Sequence, residues 1–519
     1  ALSSAASDVY KRQAQNREGD IMERSSGVLL HISSLPNKYG IGSFGEETVK
    51  FSEFLRSMGV KYWQTLPFGT VDSCNSPYKS FSAFAGNPMF IDLETLYKKE
   101  LLTLEELEAN MVSDPYVVDF EWLNKTRIEL FRKAYGRIDD EYRKNILKFA
   151  KENKYWLYDF SLYMTIRDKN QNKEWYDWED KDLKFHETEA LKKFRAENID
   201  EIMFYDFLQY EFFNQWQEIK SRINQKGIKI IGDIPIYVSL ESSDVWGNSH
   251  LFDLDEDRKP KFISGVPPDY FSEEGQLWGN PLYNWKAMKK GRFSWWIKRL
   301  ENALKIFDMV RIDHFRGFSD YWAVPSDAKT AKEGHWVEGP RMDFFNQVLK
   351  KIDRNSIIAE DLGDIDDNVR NLLKETGFPG MRVIQFGFSG DESIHLPHNY
   401  TKNTVAYTGT HDNNTILGWL WEANVNERNY ALEYCNYEGN DWGKGGYYSQ
   451  SCRAIIRTLW QSVADLVVVP IQDLCGFGSD TKMNKPGLAK GNWGYRITSD
   501  QLNQIDKSFV LKLNRLYGR

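Results

Sequence analysis

Nowhere in the 519-residue chain does an uninterrupted apolar stretch reach membrane-spanning length, and the N-terminus lacks the apolar central region of a signal peptide. No membrane association is expected, and the chain reads as soluble and cytoplasmic. Cysteine is scarce. Cys74, Cys435, Cys452 and Cys475 form no C-x-x-C pair and match no zinc spacing, so they read as reduced structural thiols, not as a disulfide framework or a metal centre. The net charge is −8, with no basic block or stripe of the kind that phosphate backbones demand, which argues against nucleic acid as a partner. Phosphate-cradling glycines, a reactive cysteine and a Ser-His-Asp order are missing too, which removes the usual machinery of phosphoryl and acyl transfer.

What the sequence has in excess is aromatic. These residues make up 15% of the chain and include 18 tryptophans. Such rings fill cores, but they also form the flat platforms on which sugar rings lie, and composition does not separate the two.

The length exceeds that of one ordinary compact domain, so two domains or one large fold with insertions is expected. Residues 1–21 lack hydrophobic periodicity and begin without methionine; Met22 is the expected start, with 1–21 a disordered or extraneous leader. From residue 22 onward, apolar and often β-branched runs alternate with helical pattern. They fall at residues 27–31, 62–66, 228–233, 308–313, 356–361, 381–386, 404–408 and 466–471. Between the first two, Phe51, Phe54, Leu55 and Met58 recur at helical spacing and stop at Gly59. Eight strands alternating with helices predict a (β/α)8 TIM barrel over residues 22–519. Two intervals are too long for simple crossovers. Residues 68–226, between strands two and three, are expected to form a mainly helical insertion. Between strands three and four, "PPDYFSEEGQLWGNPLYNW" is expected to be an ordered loop covering the substrate, with Tyr270, Phe271, Leu277 and Trp278 as its apolar side chains.

In such a barrel the chemistry sits where the strands end, and here they end in acids. Asp233, Asp313 and Glu360 close strands three, four and five, and strand seven leads into Asp412. A lone carboxylate at such a place is commonly a helix cap or a salt-bridge partner, but four converging on one mouth favour glycoside chemistry. One group must protonate the leaving oxygen while a second, ionised group attacks the anomeric carbon. Asp313, two residues after Arg311 and on the same side of the strand, suits the nucleophile; Glu360, with no arginine within two positions, suits the general acid/base.

"RIDHFRG", "IAEDLG" and "GTHDN", in that order, resemble the catalytic regions of the α-amylase superfamily. With "GVLLHISSLP", "YWQTLPFG", "SPYKSFSAFAGNP", "GDIPIYV", "QDLCGFGS" and "MNKPG…GNW", the chain from about Gly27 to Arg496 resembles the 4-α-glucanotransferases of glycoside hydrolase family 77. The resemblance implies a retaining double displacement that moves a segment of an α-1,4-glucan onto the 4-hydroxyl of an acceptor. It implies a covalent intermediate on Asp313, acid/base work by Glu360 and transition-state support from Asp412. It implies that Arg311, His314 and His411 hold the donor sugar and that Asp233 supports the site. It also implies that Tyr78, Ser76, Gln276, Trp278 and Asn484 line the glucan groove. Each histidine, His31 included, has the alternative of a buried structural hydrogen bond, and Trp278 that of a core ring. Substrates would be maltooligosaccharides and linear α-1,4-glucans, with no cofactor, and the assembly is left open between monomer and homodimer. No clustered Asp/Asn run has calcium-ligand spacing, so a metal-independent enzyme is expected. A glucan hydrolase on the same barrel and a noncatalytic glucan-binding protein are the competing readings.

Overall fold

The computed structural model describes residues 23–268, 272–488 and 490–519. The expected Met22 start, Tyr270 and Phe271 lie outside the described residues. Twelve strands run through the described residues, β1 Ser25–Leu29, β2 Tyr62–Gln64, β3 Lys229–Ile234, β4 Phe262–Val266, β5 Gln276–Pro281, β6 Met309–Ile312, β7 Asp320–Pro325, β8 His335–Glu338, β9 Ile357–Ala359, β10 Gly380–Val383, β11 Thr404–Tyr407 and β12 Leu466–Pro470. Eight of them, β1, β2, β3, β6, β9, β10, β11 and β12, are parallel neighbours in chain order, and these are the eight apolar runs of the sequence. The ladder's two ends, β9 and β10, meet where the Ala359 N–H donates to the Pro379 carbonyl (2.9 Å), which all but closes the barrel.

Side chains alternate about each strand, which sorts the runs into an inner and an outer set. Leu29, Tyr62, Ile231, Met309, Ile358, Met381, Val405 and Val468 pack together inside the barrel. Val28, Trp63, Ile230, Val310, Ile357, Ala406 and Val467 face out into the core shared with the helices. The same period places Asp233, Arg311 and Glu360 on the inner side, each two residues past the inward-facing Ile231, Met309 and Ile358, with Asp313 two residues beyond Arg311.

The helix Glu46–Ser57 buries Val49, Phe51, Phe54 and Leu55 and ends at Gly59, whose φ of 72° is left-handed, as the sequence predicts. Between β2 and β3 the chain is mainly helical. The last of these helices, Ile199–Gln225, is 27 residues long. Its later turns lie on the barrel: Trp216 packs against Phe44 and Phe68, and its indole N–H donates to the Ile306 carbonyl (2.8 Å).

The segment read as an ordered covering loop is folded further than expected. Its residues 276–281 form β5, which pairs antiparallel with β4; β4 pairs in turn with β7 and β7 with β8, giving a second, four-stranded sheet. Much of β5 and β8 is exposed, so neither carries the hydrophobic alternation by which a strand is recognised, and Gly275, Gly279 and Pro281 mimic a turn-rich loop.

Candidate active site

Asp233 and Arg311 are register partners on β3 and β6, so their side chains leave the inner face side by side. The Arg311 Nη2 donates to Asp233 Oδ2 at 2.6 Å and to Asp313 Oδ1 at 2.8 Å, and the Tyr78 hydroxyl donates to the same Asp233 oxygen at 2.7 Å. Exposure separates the two acids. The Asp233 side chain is 1% exposed and that of Asp313 is 32% exposed, so Asp233 is spent on holding Arg311 while Asp313 keeps a face open to the cleft.

Immediately after Asp313 the backbone turns left-handed at His314 (φ 52°, ψ 51°), a conformation that costs a branched or bulky residue free energy and is kept where the surroundings enforce it. The turn aims the His314 N–H at Glu360 Oε2 (2.7 Å), while the Leu362 N–H donates to Glu360 Oε1 (2.8 Å). Glu360 is thereby fixed from both sides at the top of β9, next to Asp313. The Trp278 ring of β5 meets the His314 imidazole edge to face, with centroids 4.8 Å apart.

The third acid arrives from the other side of the mouth. Asp412 Oδ2 lies 3.1 Å from His411 Nε2, and its Oδ1 accepts from the Asn484 side-chain amide at 2.6 Å. His411 stacks on Tyr78 with centroids 5.0 Å apart and planes 13° from parallel, so the β11 loop leans on the same tyrosine that holds Asp233. The structure therefore brings Asp313, Glu360, Asp412, Asp233, Arg311, His314, His411, Tyr78, Trp278 and Asn484 into one connected mouth. Ser76 and Gln276 make no contact of their own with the acids. The Ser76 hydroxyl accepts from the Tyr78 N–H (3.3 Å), and Gln276 accepts from the Trp278 indole N–H (3.2 Å), so each steadies an aromatic that does reach the mouth.

Electrostatics divides the acids. Burial pushes Asp313 up to about 6; Arg311 opposes that rise, and Asp233 and Asp412 add to it. Burial, and then the neighbouring charge of Asp313, push Glu360 up to about 8. Asp412 goes the other way: burial works against its ionisation, but His411 and Asn484 outweigh it and bring it down to about 2. Near neutrality Asp313 and Asp412 are ionised and Glu360 is protonated. The neighbouring arginine limits the rise of Asp313 without cancelling the effect of burial. Burial also lowers His314 to about 4 and His31 to about 3, so both imidazoles are neutral donors or acceptors. His31 lies within electrostatic reach of His411, with its Nδ1 3.2 Å from the Thr65 hydroxyl.

Two residues that the sequence did not single out complete the frame. Trp493, with a left-handed φ of 67°, packs against both Tyr78 and His411. Asp473 accepts from the Thr408 hydroxyl (2.6 Å) and the Ile416 N–H (2.7 Å), pinning both ends of the loop that carries His411 and Asp412. Both lie inside motifs quoted above, "GNW" and "QDLCGFGS"; Trp493 has no charge or period to mark it, whereas Asp473, an acid just past the apolar run 466–471, carries a signal that the sequence reading did not take up. Among the described residues, no group of three or more His, Cys, Asp or Glu is placed to hold a metal ion.

This arrangement can attack a glycosidic carbon from Asp313, protonate the departing oxygen from Glu360 and hold sugar hydroxyls at Asp412. Comparison with known proteins points the same way. The chain is similar to the 4-alpha-glucanotransferase of Clostridium butyricum, 43% identical over 94% of this chain and 100% of the relative. It is similar to that of Streptococcus pneumoniae serotype 4, 44% identical over 96% and 98%. Its fold is similar to that of the amylomaltase of Streptococcus agalactiae, solved in complex with acarbose, with a TM-score of 0.92 at 40% identity, over 96% of this chain and 100% of that one. The model of glycoside hydrolase family 77, 4-alpha-glucanotransferase, matches residues 30–502, and the chain belongs to that family.

Proposed function

We propose that this 4-α-glucanotransferase works by a retaining double displacement in which Asp313 is the nucleophile and Glu360 the acid/base. The free carboxylate oxygen of Asp313 attacks the anomeric carbon of a bound α-1,4-glucan, the bond from that carbon to the bridging oxygen breaks, and Glu360 gives that oxygen its proton. The reducing-end fragment leaves. The 4-hydroxyl of an acceptor sugar then attacks the same carbon as Glu360 takes its proton and the Asp313 ester breaks, so no net acid or base is consumed. Asp412, ionised and open to the cleft, holds sugar hydroxyls and the positive charge that develops on the ring. Arg311 keeps the leaving carboxylate of the second step stable, and His314, His411, Tyr78 and Asn484 line the donor sugar's seat.

The observation that carries the reading is Arg311 shared between a buried aspartate and an open one, beside a glutamic acid held by two backbone N–H groups. A binding module has no need for such a split of protonation states. Acarbose, captured in the Streptococcus agalactiae amylomaltase, is expected to compete for this mouth. The four cysteines are all free, which suits a reducing, cytoplasmic compartment.

Incubation with maltotriose tests the activity. A transferase yields glucose and a ladder of longer maltodextrins with little gain in total reducing ends, whereas a hydrolase yields rising reducing ends and no ladder. Asp313→Asn tests the mechanism: kcat is expected to fall by about three orders of magnitude or more. An Asn variant as active as the parent would rule out Asp313 as the nucleophile.

A further inference from the structure

The helix Ile416–Glu422 leaves the Asp412 loop, and near its end stands Trp421, 48% exposed. Its helix neighbours Leu417 and Leu420 enter the core, and Trp421 does not. An exposed indole is ordinarily free to turn, but this one is held. Its Nε1–H donates to the Gly443 carbonyl at 3.0 Å. The backbone of Gly478 passes so close beneath the ring that a Cβ at that position would overlap it. Two glycine backbones thus support a large apolar ring that contributes nothing to the core.

Its surroundings tie it to the catalytic mouth. The Ser479 hydroxyl donates to Glu422 (3.0 Å) and accepts from the Asn414 amide (2.9 Å), two residues from Asp412. The Lys482 ammonium lies within electrostatic reach of both Asp412 and Glu422. Gly478 under the ring and Asn484 on Asp412 are six residues apart, so the two places are separated by at most about 20 Å of chain. A polar strip of carboxylate, hydroxyl and ammonium therefore runs from the catalytic carboxylate to a fixed, half-open aromatic plane. This is the combination that a sugar ring meets with its apolar face and its hydroxyl edge.

We propose that Trp421 is a stacking platform for a distal glucose unit of a long α-1,4-glucan whose reacting segment occupies the carboxylate mouth, with Glu422, Ser479 and Lys482 meeting its hydroxyls. This rests on the glucan-transfer reading and extends it to chain-length preference. A glucan too short to reach from the mouth to Trp421 gains nothing from the platform; a longer one does. The competing role is mechanical, the indole N–H merely pinning the chain at Gly443, and that role is blind to substrate length.

The test compares the parent with Trp421→Ala and Trp421→Phe on maltotriose and on a long linear amylose, each as donor with glucose as acceptor. The ratio of kcat/KM for amylose to that for maltotriose is expected to fall about five- to tenfold in the Ala variant and to be largely restored in the Phe variant, which keeps a stacking face but cannot bond Gly443. Gly478→Ala, which displaces the ring without removing it, is expected to lower the same ratio. An unchanged ratio in Trp421→Ala, whether both rates fall together or neither does, overturns the platform. If the parent itself produces no maltodextrin ladder from maltotriose, the glucan-transfer reading fails instead, and the platform with it.

Discussion

Burial sets the working pH range of the mouth by pushing both Asp313 and Glu360 upward, and Arg311, the cation bonded to Asp313, limits that rise. Asp313 must be ionised to attack, so active protein is gained as pH rises through about 6; Glu360 must be protonated to give up its proton, so activity is lost as pH rises through about 8. A bell-shaped kcat/KM profile with its top at about pH 7 is expected. Arg311→Lys keeps a positive charge but not the planar fork that reaches two carboxylates, so the acid limb should move to higher pH while the basic limb moves less. A pH series of initial transfer rates checks both limbs. At this scale the sequence was readable where a residue broke a rule. Acids and an arginine at the ends of buried apolar runs are anomalous, and that anomaly marks Asp233, Arg311, Asp313 and Glu360 in the sequence. Trp493 broke no rule. One tryptophan in a Gly/Asn-rich stretch has no period, and its role exists only because residues 78, 411 and 493 meet in space.

Strands of the barrel were legible because burial on both faces leaves continuous β-branched runs, and the glycine inside β3 fits the same logic. Gly232 faces outward where the Phe307 ring leaves no room for a Cβ. Gly232→Ala should destabilise the fold by about 1–3 kcal/mol, the usual range for overpacking, as read from the urea midpoint. The small antiparallel sheet escaped notice for the opposite reason. The exposed β5 and β8 pair only with the strand just before each, β4 and β7, and the pairing that joins these two hairpins into one sheet, β4 with β7, spans residues distant in sequence, which local pattern does not encode. Its functional consequence is that Trp278 sits on a paired strand, not on a free loop, and is aimed at His314. Removing that wall admits water more than it weakens the acids. Trp278→Ala is therefore expected to raise the ratio of hydrolysis to transfer by about two- to tenfold, measured as new reducing ends per ladder product formed from maltotriose.

Taken as a whole, the molecule is a barrel and a set of helices sharing one hydrophobic core, with Trp216 of the long helix Ile199–Gln225 packed on Phe44 and Phe68. The helical character of residues 68–226 was visible as amphipathic, charge-rich pattern, but the docking of that long helix on the barrel was not, since it depends on aromatic contacts across more than a hundred residues of chain. The barrel's circumference is also uneven. Seven neighbouring pairs of strands are laddered, whereas β9 and β10 share one backbone bond, Ala359 to Pro379, backed by the Asp361 side chain, which accepts from the Met381 N–H (2.5 Å) and the Arg382 guanidinium (2.9 Å). Glu360 is the very next residue, tethered to β6 on one flank through its N–H to Ile312 and bordering that thin seam on the other. Fluctuations that part the seam will swing the proton donor while the Arg311–Asp313 pair, inside the continuous ladder, stays put. On gentle heating, the Ala359 amide should exchange its hydrogen ahead of those in β3 and β6, and turnover should fade at temperatures where circular dichroism still reports an intact fold.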